Sequence, residues 1–232
     1  MTKEEYKVRN EVFDRSTIKV LDKFRKEYYE EMEDCISTGK EANVFKATTK
    51  KGFVAIKIFR TYTSSFDNMN DYITGDPRFT SVKRKKHDLV YQWCKKEFRN
   101  LSKAYELGIF VPRPFVCLKN VIIMEFIGDN GVAAPLLKDV RLDNYQKMYD
   151  EIIKIMVKLF NEANLIHADL SEFNILYYNK RPIIIDMAQS VLKEHPKSMY
   201  FLKKDLENIN NYFKRKCKII EWDDFIKKLK LE

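Results

Sequence analysis

From Thr17 to Glu33 apolar residues recur at three- and four-residue spacing, at Ile18, Leu21, Phe24, Tyr28 and Met32, which predicts an amphipathic helix ahead of the core. The pattern then changes. The run Cys35-Ile36-Ser37-Thr38-Gly39-Lys40-Glu41-Ala42-Asn43-Val44-Phe45-Lys46-Ala47 reads as strand, glycine-containing turn and strand. Lys50-Lys51-Gly52 then turns the chain into the apolar run Phe53 to Phe59, so an antiparallel N-terminal sheet is expected. Arg60 to His87 shows no sustained period and ends in the basic cluster Lys83-Arg84-Lys85-Lys86; a loop of that length inside a compact domain is usually functional or mobile. From Asp88 a helical pattern through Leu89, Trp93, Leu101 and Ala104 carries Glu97 and stops at Gly108. Strands are predicted around Phe115–Leu118 and Val121–Ile127.

Gly128-Asp129-Asn130-Gly131 reads as a flexible connector and marks the boundary between two lobes. Beyond it, a long helix is expected from about Asp143 to Asn164, with Tyr145, Met148, Ile152, Ile155, Met156 and Leu159 on one face. A loop, two short strands (Asn174–Tyr178 and Pro182–Asp186) and two terminal helices follow. The class is α+β, divided into an N-terminal helical extension (residues 1–33), a sheet-bearing lobe (34–127) and a mainly helical lobe (128–232).

Composition narrows the class without naming a chemistry. With 45% hydrophobic and 33% charged residues and only 6 Gly and 6 Pro, the chain has a globular composition. Its net charge of +9 favours polyanionic partners such as nucleotides or RNA, but a solvated lysine-rich surface produces the same balance. Cys35, Cys94, Cys117 and Cys217 form no C-x-x-C pair, which points to buried free thiols in a reducing compartment. The first residues are charged, and no apolar run approaches the roughly 18 residues of a membrane span, so a cytosolic protein without membrane attachment is expected.

The chemistry enters at His167-Ala168-Asp169-Leu170-Ser171-Glu172-Phe173-Asn174, which has the spacing H-x-D-x-x-x-x-N. One carboxylate there can orient the proton of an attacking hydroxyl while an amide oxygen later in the same tight loop ligates a phosphate-bound Mg²⁺. Farther on, the apolar run Ile183-Ile184-Ile185 delivers Asp186, a second hard oxygen donor for Mg²⁺. Val54-Ala55-Ile56-Lys57 has the pattern of a strand whose lysine pairs with nucleotide phosphates and with a helix glutamate, for which Glu97 is the candidate. Ser37, Thr38, Gly39 and Lys40 occupy the place of a phosphate-covering loop, although with one glycine where such loops carry three. Met124-Glu125-Phe126-Ile127-Gly128 ends a strand as a hinge does, where the Glu125 carbonyl and the Ile127 N–H could bond adenine. Taken singly, each has an ordinary alternative: a capping Asp, a strand-closing Asp, an exposed helix charge, a plain hairpin, a strand end. Five such elements in this order on these secondary structures point to ATP-dependent phosphoryl transfer on a two-lobed, protein-kinase-like fold.

These motifs resemble the RIO family of atypical kinases. The loop Ser37-Thr38-Gly39-Lys40-Glu41-Ala42-Asn43 is similar to that of the first (RIO-one type) subfamily. Tyr72-Ile73-Thr74-Gly75-Asp76-Pro77-Arg78-Phe79, Lys96-Glu97-Phe98-Arg99-Asn100-Leu101 and Ile185-Asp186-Met187-Ala188-Gln189-Ser190-Val191 extend the likeness over about residues 35–215. The resemblance implies serine/threonine phosphorylation or ATP hydrolysis with Mg²⁺ (Mn²⁺ as a substitute) and a role in maturation of the small ribosomal subunit through its rRNA and proteins. By the same resemblance Asp169 is the catalytic carboxylate, Asn174 and Asp186 are the metal ligands, and Lys57 binds phosphate while paired with Glu97. The family also allows Asp186 to accept phosphate transiently. Met187-Ala188 stands where a conventional kinase has Phe-Gly, no Ala-Pro-Glu segment follows, and Ala168 replaces the usual Arg, so recognition of a protein substrate is not legible.

Three other functions share parts of the pattern: a small-molecule kinase of the aminoglycoside or choline type, a small kinase that modifies a tRNA-processing partner, and an assembly-factor ATPase whose hydrolysis times its release from pre-ribosomes. Two local expectations remain. Thr61 to Lys86 is expected to be mobile and to accept self-phosphorylation at Thr61, Thr63, Ser64, Ser65, Thr80 or Ser81. The cluster Lys83 to Lys86 is either an rRNA contact or a solvated loop.

Overall fold

A computed structural model of the chain describes residues 13–61, 72, 73, 75, 76, 78 and 86–231. Helix α1 (Arg15–Phe24) begins where the Asp14 carboxylate accepts the Thr17 N–H at 2.7 Å. It ends earlier than the periodicity predicts, because Lys26 adopts φ +73° and residues from Glu31 onward belong to strand β1 (Glu31–Thr38). Cross-strand pairing of Glu31 with Thr48 and Met32 with Ala47 satisfies the backbone that a longer helix would have satisfied internally. The apolar face of α1 (Val20, Leu21, Phe24) packs with Ile56, Ile58, Val121 and Ile123 of the sheet, forming a small second core on its outer side.

The sheet has five strands in the order β1-β2-β3-β5-β4, with β2 at Ala42–Thr49, β3 at Gly52–Phe59, β4 at Pro114–Leu118 and β5 at Val121–Glu125. All named pairings are antiparallel. Strand β3 is central and is buried continuously from Val54 to Phe59, which explains why its sequence is an unbroken apolar run holding one lysine. Helix α2 (Lys86–Glu106) closes the other face, with Trp93, Cys94, Leu101 and Ala104 fully buried, and Gly108 supplies its left-handed stop at φ +68°. The four cysteines are free, but only Cys94 is fully buried; Cys35 is exposed because β1 is an edge strand, and Cys94 and Cys117, distant in sequence, meet with their sulfurs 3.6 Å apart between α2 and β4.

The stretch read as a flexible connector is an ordered hairpin, β6 (Gly128–Asp129) against β7 (Val132–Ala133). Asn130 and Gly131, at φ +51° and +77°, form a turn with both central residues left-handed, the conformation that Asn-Gly favours most. Lys46 Nζ donates to the Gly131 carbonyl at 3.1 Å and the Phe53 ring packs on Gly131. Gly128 has φ +157°, and a Cβ added there would lie 2.1 Å from the Val132 carbonyl oxygen. Gly128→Ala is therefore expected to cost on the order of 2 kcal/mol, seen as a lower urea midpoint at unchanged m-value; an unchanged midpoint would show that the hairpin yields freely.

Helix α3 (Tyr145–Asn161), capped by the Asn144 side chain on Lys147 N–H, buries Met148, Ile152, Ile155, Met156 and Leu159, as its periodicity predicts. Strands β8 (Leu165–Ile166) and β11 (Val191–Leu192) pair, as do β9 (Ile175–Tyr178) and β10 (Arg181–Ile184). Helices α4 (Ser198–Phe213) and α5 (Trp222–Ile226) finish the chain. One core runs from Phe59 and Trp93 under the sheet to Ile152, Leu206 and Phe213.

Thr61 does not suit self-phosphorylation: it is 6% exposed and its hydroxyl donates to Asp14 Oδ2 at 2.7 Å. Nor is the segment after it uniformly without contacts, since Asp76 is buried and Arg78 is bonded to it. Thr63, Ser64, Ser65, Thr80, Ser81, Lys83, Arg84 and Lys85 lie outside the described residues. Among the described residues no helix is long and apolar enough to cross a membrane.

Candidate active site

A cleft of ≈ 1270 Å³ opens between the sheet and the helical half. Strand β3 brings Lys57 to its wall, where the ammonium donates to Glu97 Oε1 of α2 at 2.8 Å and to Asp186 Oδ1 at 2.9 Å. Residues 40 and 129 positions away from Lys57 thus meet at one nitrogen. Burial alone would discharge the lysine, but the two carboxylates, Asp186 foremost, hold it charged above its usual range. Burial pushes the Glu97 carboxyl up to about 7 against the pull of Lys57, and its Oε2 has no hydrogen-bond partner. Asp186 lies deep among protein atoms while its side chain keeps 48% of its surface open to the cleft. Burial raises its pKa, but the Lys57 charge and hydrogen bond outweigh this and hold it below the ordinary value.

The loop after β8 supplies the second half of the site. Asn174 Nδ2 donates to the Asp169 carbonyl at 2.8 Å and to Asp169 Oδ2 at 3.1 Å, which closes the loop and turns the Asn174 amide oxygen away from both. His167 Nδ1 accepts the Asp169 N–H at 3.3 Å, so the hydrogen-bond network assigns the proton to Nε2, which donates to the Ile185 carbonyl at 3.1 Å. That bond ties the loop to the strand end bearing Asp186. Burial, then the neighbouring Asp186 charge, raises the Asp169 carboxyl. Ala168 and Asp186, neither a glycine, have φ of +68° and +59°, conformations that persist only where their surroundings enforce them.

For Ala168 the enforcing residue is Asp205 on α4. Its Oδ2 accepts the Ala168 N–H and its Oδ1 the Leu170 N–H, each at 2.8 Å, and it is 1% exposed. Burial pushes this carboxyl up to about 8, against the two N–H bonds that favour its ionised form. The sequence signal for Asp205 was its position on the buried face of a helix, among Phe201, Leu202, Leu206 and Ile209. Glu41 is a further acid on the cleft wall; its Oε2 accepts the Trp93 indole N–H at 3.1 Å, and burial raises its pKa.

Ser37, Gly39, Lys40, Lys57, Glu97, Glu125, Ile127, Asp169, Asn174 and Asp186 all line this one cleft. Thr38 does not; it is exposed and pairs with Asn43. The Gly39 N–H donates to the Ala42 carbonyl at 2.9 Å, closing the turn between β1 and β2 as a hairpin. At the hinge, Glu125 N–H donates to the Arg113 carbonyl at 2.8 Å and the Ile127 carbonyl accepts the Ala134 N–H at 2.9 Å.

Among the described residues no three His, Cys, Asp or Glu side chains are grouped to hold a metal by themselves. Asn174 Oδ1 and the Asp186 carboxylate are two hard oxygen donors on the cleft wall. That set fits Mg²⁺, which typically takes one or two protein oxygens and completes its shell with substrate phosphates and water.

Residues 43–224 match the RIO domain family. The chain is 39% identical over 225 residues to the RIO-type serine/threonine-protein kinase Rio1 of Methanocaldococcus jannaschii, covering 97% of this chain and 77% of that one. It is 41% identical over 190 residues to the human serine/threonine-protein kinase RIO1, covering 80% of this chain and 34% of the human protein. The structure of the Rio2 kinase–ADP/Mg²⁺–phosphoaspartate complex from Chaetomium thermophilum superposes with a TM-score of 0.67 at 25% identity, over 90% of this chain and 65% of that one. The chain thus spans about a third of its human relative's length and just under two thirds of the Rio2 chain.

Proposed function

This chain belongs to the RIO family of serine/threonine-protein kinases, and from that premise we propose that it transfers the γ-phosphoryl group of Mg²⁺-ATP to a serine or threonine hydroxyl. The observation that carries this reading is Lys57 Nζ, held between Glu97 and Asp186 at 2.8 and 2.9 Å on the wall of a cleft that also contains Asp169 and Asn174. Glu125 and Ile127 at the hinge would receive adenine, and Ser37 and Lys40 would face the phosphates. Lys57 binds phosphate oxygens, and Glu97 keeps it extended across the cleft. Asn174 Oδ1 and Asp186 would hold Mg²⁺, which when bound supplies positive charge that offsets the charge of the nucleotide phosphates. Asp169 orients the acceptor hydroxyl and receives its proton as the new O–P bond forms and the bond to ADP breaks. Mn²⁺ is expected to substitute for Mg²⁺, since the donors are all oxygen.

A second reading, an ATPase that passes through a phosphorylated Asp186, is favoured by the openness of that carboxylate to the cleft and by the phosphoaspartate named in the Rio2 structure. In either reading we propose that the protein works in the cytoplasm on precursors of the small ribosomal subunit, a reading supported by its membership of the RIO family. Incubation with γ-labelled ATP, with and without a protein acceptor, separates the two. Hydroxylamine-stable label on serine or threonine, in the acceptor or in the kinase itself, supports the kinase; hydroxylamine-labile label with free phosphate release supports the ATPase. Label transferred only to an aminoglycoside or to choline, or no ADP formed, would overturn both.

A further inference from the structure

Asp186 is useful to a nucleotide only if its left-handed backbone is held in place, and the structure shows what holds it. The four residues after it present their carbonyls to one face of α2. Asn100 Nδ2 donates to Met187 O at 2.9 Å and Ser190 O at 3.3 Å; Lys96 Nζ donates to Ala188 O at 3.0 Å and Gln189 O at 3.3 Å. Lys96 and Asn100 stand one helical turn apart and are 2% and 1% exposed. Both side chains are braced from behind. Asn100 Oδ1 accepts Arg78 Nη1 at 2.8 Å, which fixes the amide orientation, and the Trp93 ring lies 4.4 Å from the Lys96 ammonium.

Arg78 comes from the segment between β3 and α2, outside the catalytic motifs. Its Nε and Nη2 grip the Asp76 carboxylate at 2.9 and 2.6 Å, its Nη2 also reaches Ser190 O at 3.4 Å, and Asp76 is 3% exposed. Two other described residues near Arg78 in sequence, Tyr72 and Gly75, touch the helical half. Tyr72 stacks on Phe201 of α4 at 5.0 Å and meets Trp93 of α2 edge-on at 6.2 Å, and Gly75 lies so near Pro196 that an added Cβ would be 2.7 Å from its Cδ.

We propose that Asp76, Arg78, Lys96 and Asn100 form a clamp that positions Asp186 for Mg²⁺-nucleotide. All four are positioning residues, since they act through the backbone of residues 187–190. The clamp also links the two carboxylates on Lys57: α2 carries Glu97 directly and grips the Asp186 loop through Lys96 and Asn100, so one rigid helix sets both distances. A planar guanidinium is needed at residue 78, because it must serve a carboxylate, an amide oxygen and a carbonyl at once.

This inference rests on the reading of Asp186 as a ligand of Mg²⁺-nucleotide, and the test separates the two. ADP binding is measured calorimetrically with Mg²⁺ and with EDTA for the wild-type protein, Arg78→Ala, Arg78→Lys and Asp186→Asn, each checked for folding by circular dichroism. Loss of a residue supporting a metal ligand typically costs about 10–100-fold in metal affinity. Arg78→Ala is expected to weaken Mg²⁺-ADP binding by about that factor with ADP binding in EDTA unchanged, and Arg78→Lys to fall between. If Arg78→Ala does not fold, Arg78→Lys carries the comparison. Equal losses with and without Mg²⁺, or no loss in a folded variant, would overturn the clamp. Asp186→Asn with unaltered Mg²⁺ dependence would overturn the reading of Asp186, and the clamp with it; an effect of Asp186→Asn without one in the Arg78 variants would overturn the clamp alone.

Discussion

Asp169→Ala is expected to bind Mg²⁺-ATP with near-normal affinity and to transfer phosphate about 10²–10⁴-fold more slowly, the range for loss of a general base. Its carboxylate accepts a side-chain hydrogen bond from Asn174 at 3.1 Å, and the shorter bond from Asn174 goes to the Asp169 backbone carbonyl at 2.8 Å. The loop therefore keeps its closure in the variant, and the donors proposed for Mg²⁺ stay in place. Asp186→Ala differs because it removes one of those proposed donors and one of the two carboxylates holding Lys57. Affinity and rate should then both fall, with a higher Mg²⁺ concentration needed for half-saturation. Calorimetric titration of Mg²⁺-ATP beside single-turnover rates decides the matter. Near-normal transfer by Asp169→Ala, or unaltered Mg²⁺ dependence in Asp186→Ala, would show that the roles are assigned wrongly.

The second large effect is expected at Asp205, which touches no substrate. Asp205→Ala leaves the Ala168 and Leu170 N–H groups unpaired in a buried site, at about 1–3 kcal/mol each, and removes what holds Ala168 at φ +68°. Asp205→Asn keeps the shape but offers one acceptor where two N–H groups converge, so an amide N–H must face a backbone N–H. Both variants should lower kcat by about 10²-fold or more, the scale of a small misplacement of catalytic groups, with KM for ATP changed far less. A proportional rise in KM would assign Asp205 to nucleotide binding.

Asp205 also predicts a pH effect. Its folded-state pKa is pushed up to about 8 from an ordinary 3.8, so the unfolded chain releases this proton first, and the associated stability falls as pH rises from about 4 towards 8. Asp205→Asn should flatten that part of the denaturation-midpoint curve. A wild-type curve already flat there would mean that the two N–H bonds keep the carboxylate ionised.

Much of the fold was legible because its signals are local. The α3 periodicity, the apolar run of β3 with its single lysine and the Gly108 stop each depend on neighbours within a few residues, and the structure follows them closely. Two local readings failed for physical reasons. Tyr28 and Met32 continue a helical period by coincidence, and strand pairing of Glu31 and Met32 prevails. Asn130-Gly131 was read as flexibility, although both residues at positive φ make it a tight hairpin turn.

The sequence by itself determined the residue types that carry the chemistry, because a carboxylate, an amide and a lysine at those spacings within strand and loop patterns can be recognised without their partners. The pairing of Lys57 with Glu97 was expected from the strand motif, and the two do meet at 2.8 Å. Only the tertiary structure decided that Asp186, at a strand end 129 residues on, joins them at the same nitrogen, a convergence no spacing along the chain encodes. The same holds for the supports. Asp205 sits among apolar helix positions that hint at burial but not at its partners, and Asp76, Arg78, Lys96 and Asn100 look in sequence like surface charges and amides, although the contacts of these residues reach backbone groups up to 112 residues away. A hydrogen bond to a backbone carbonyl or N–H leaves no side-chain partner to read, so these positioning contacts become visible only once the chain is folded.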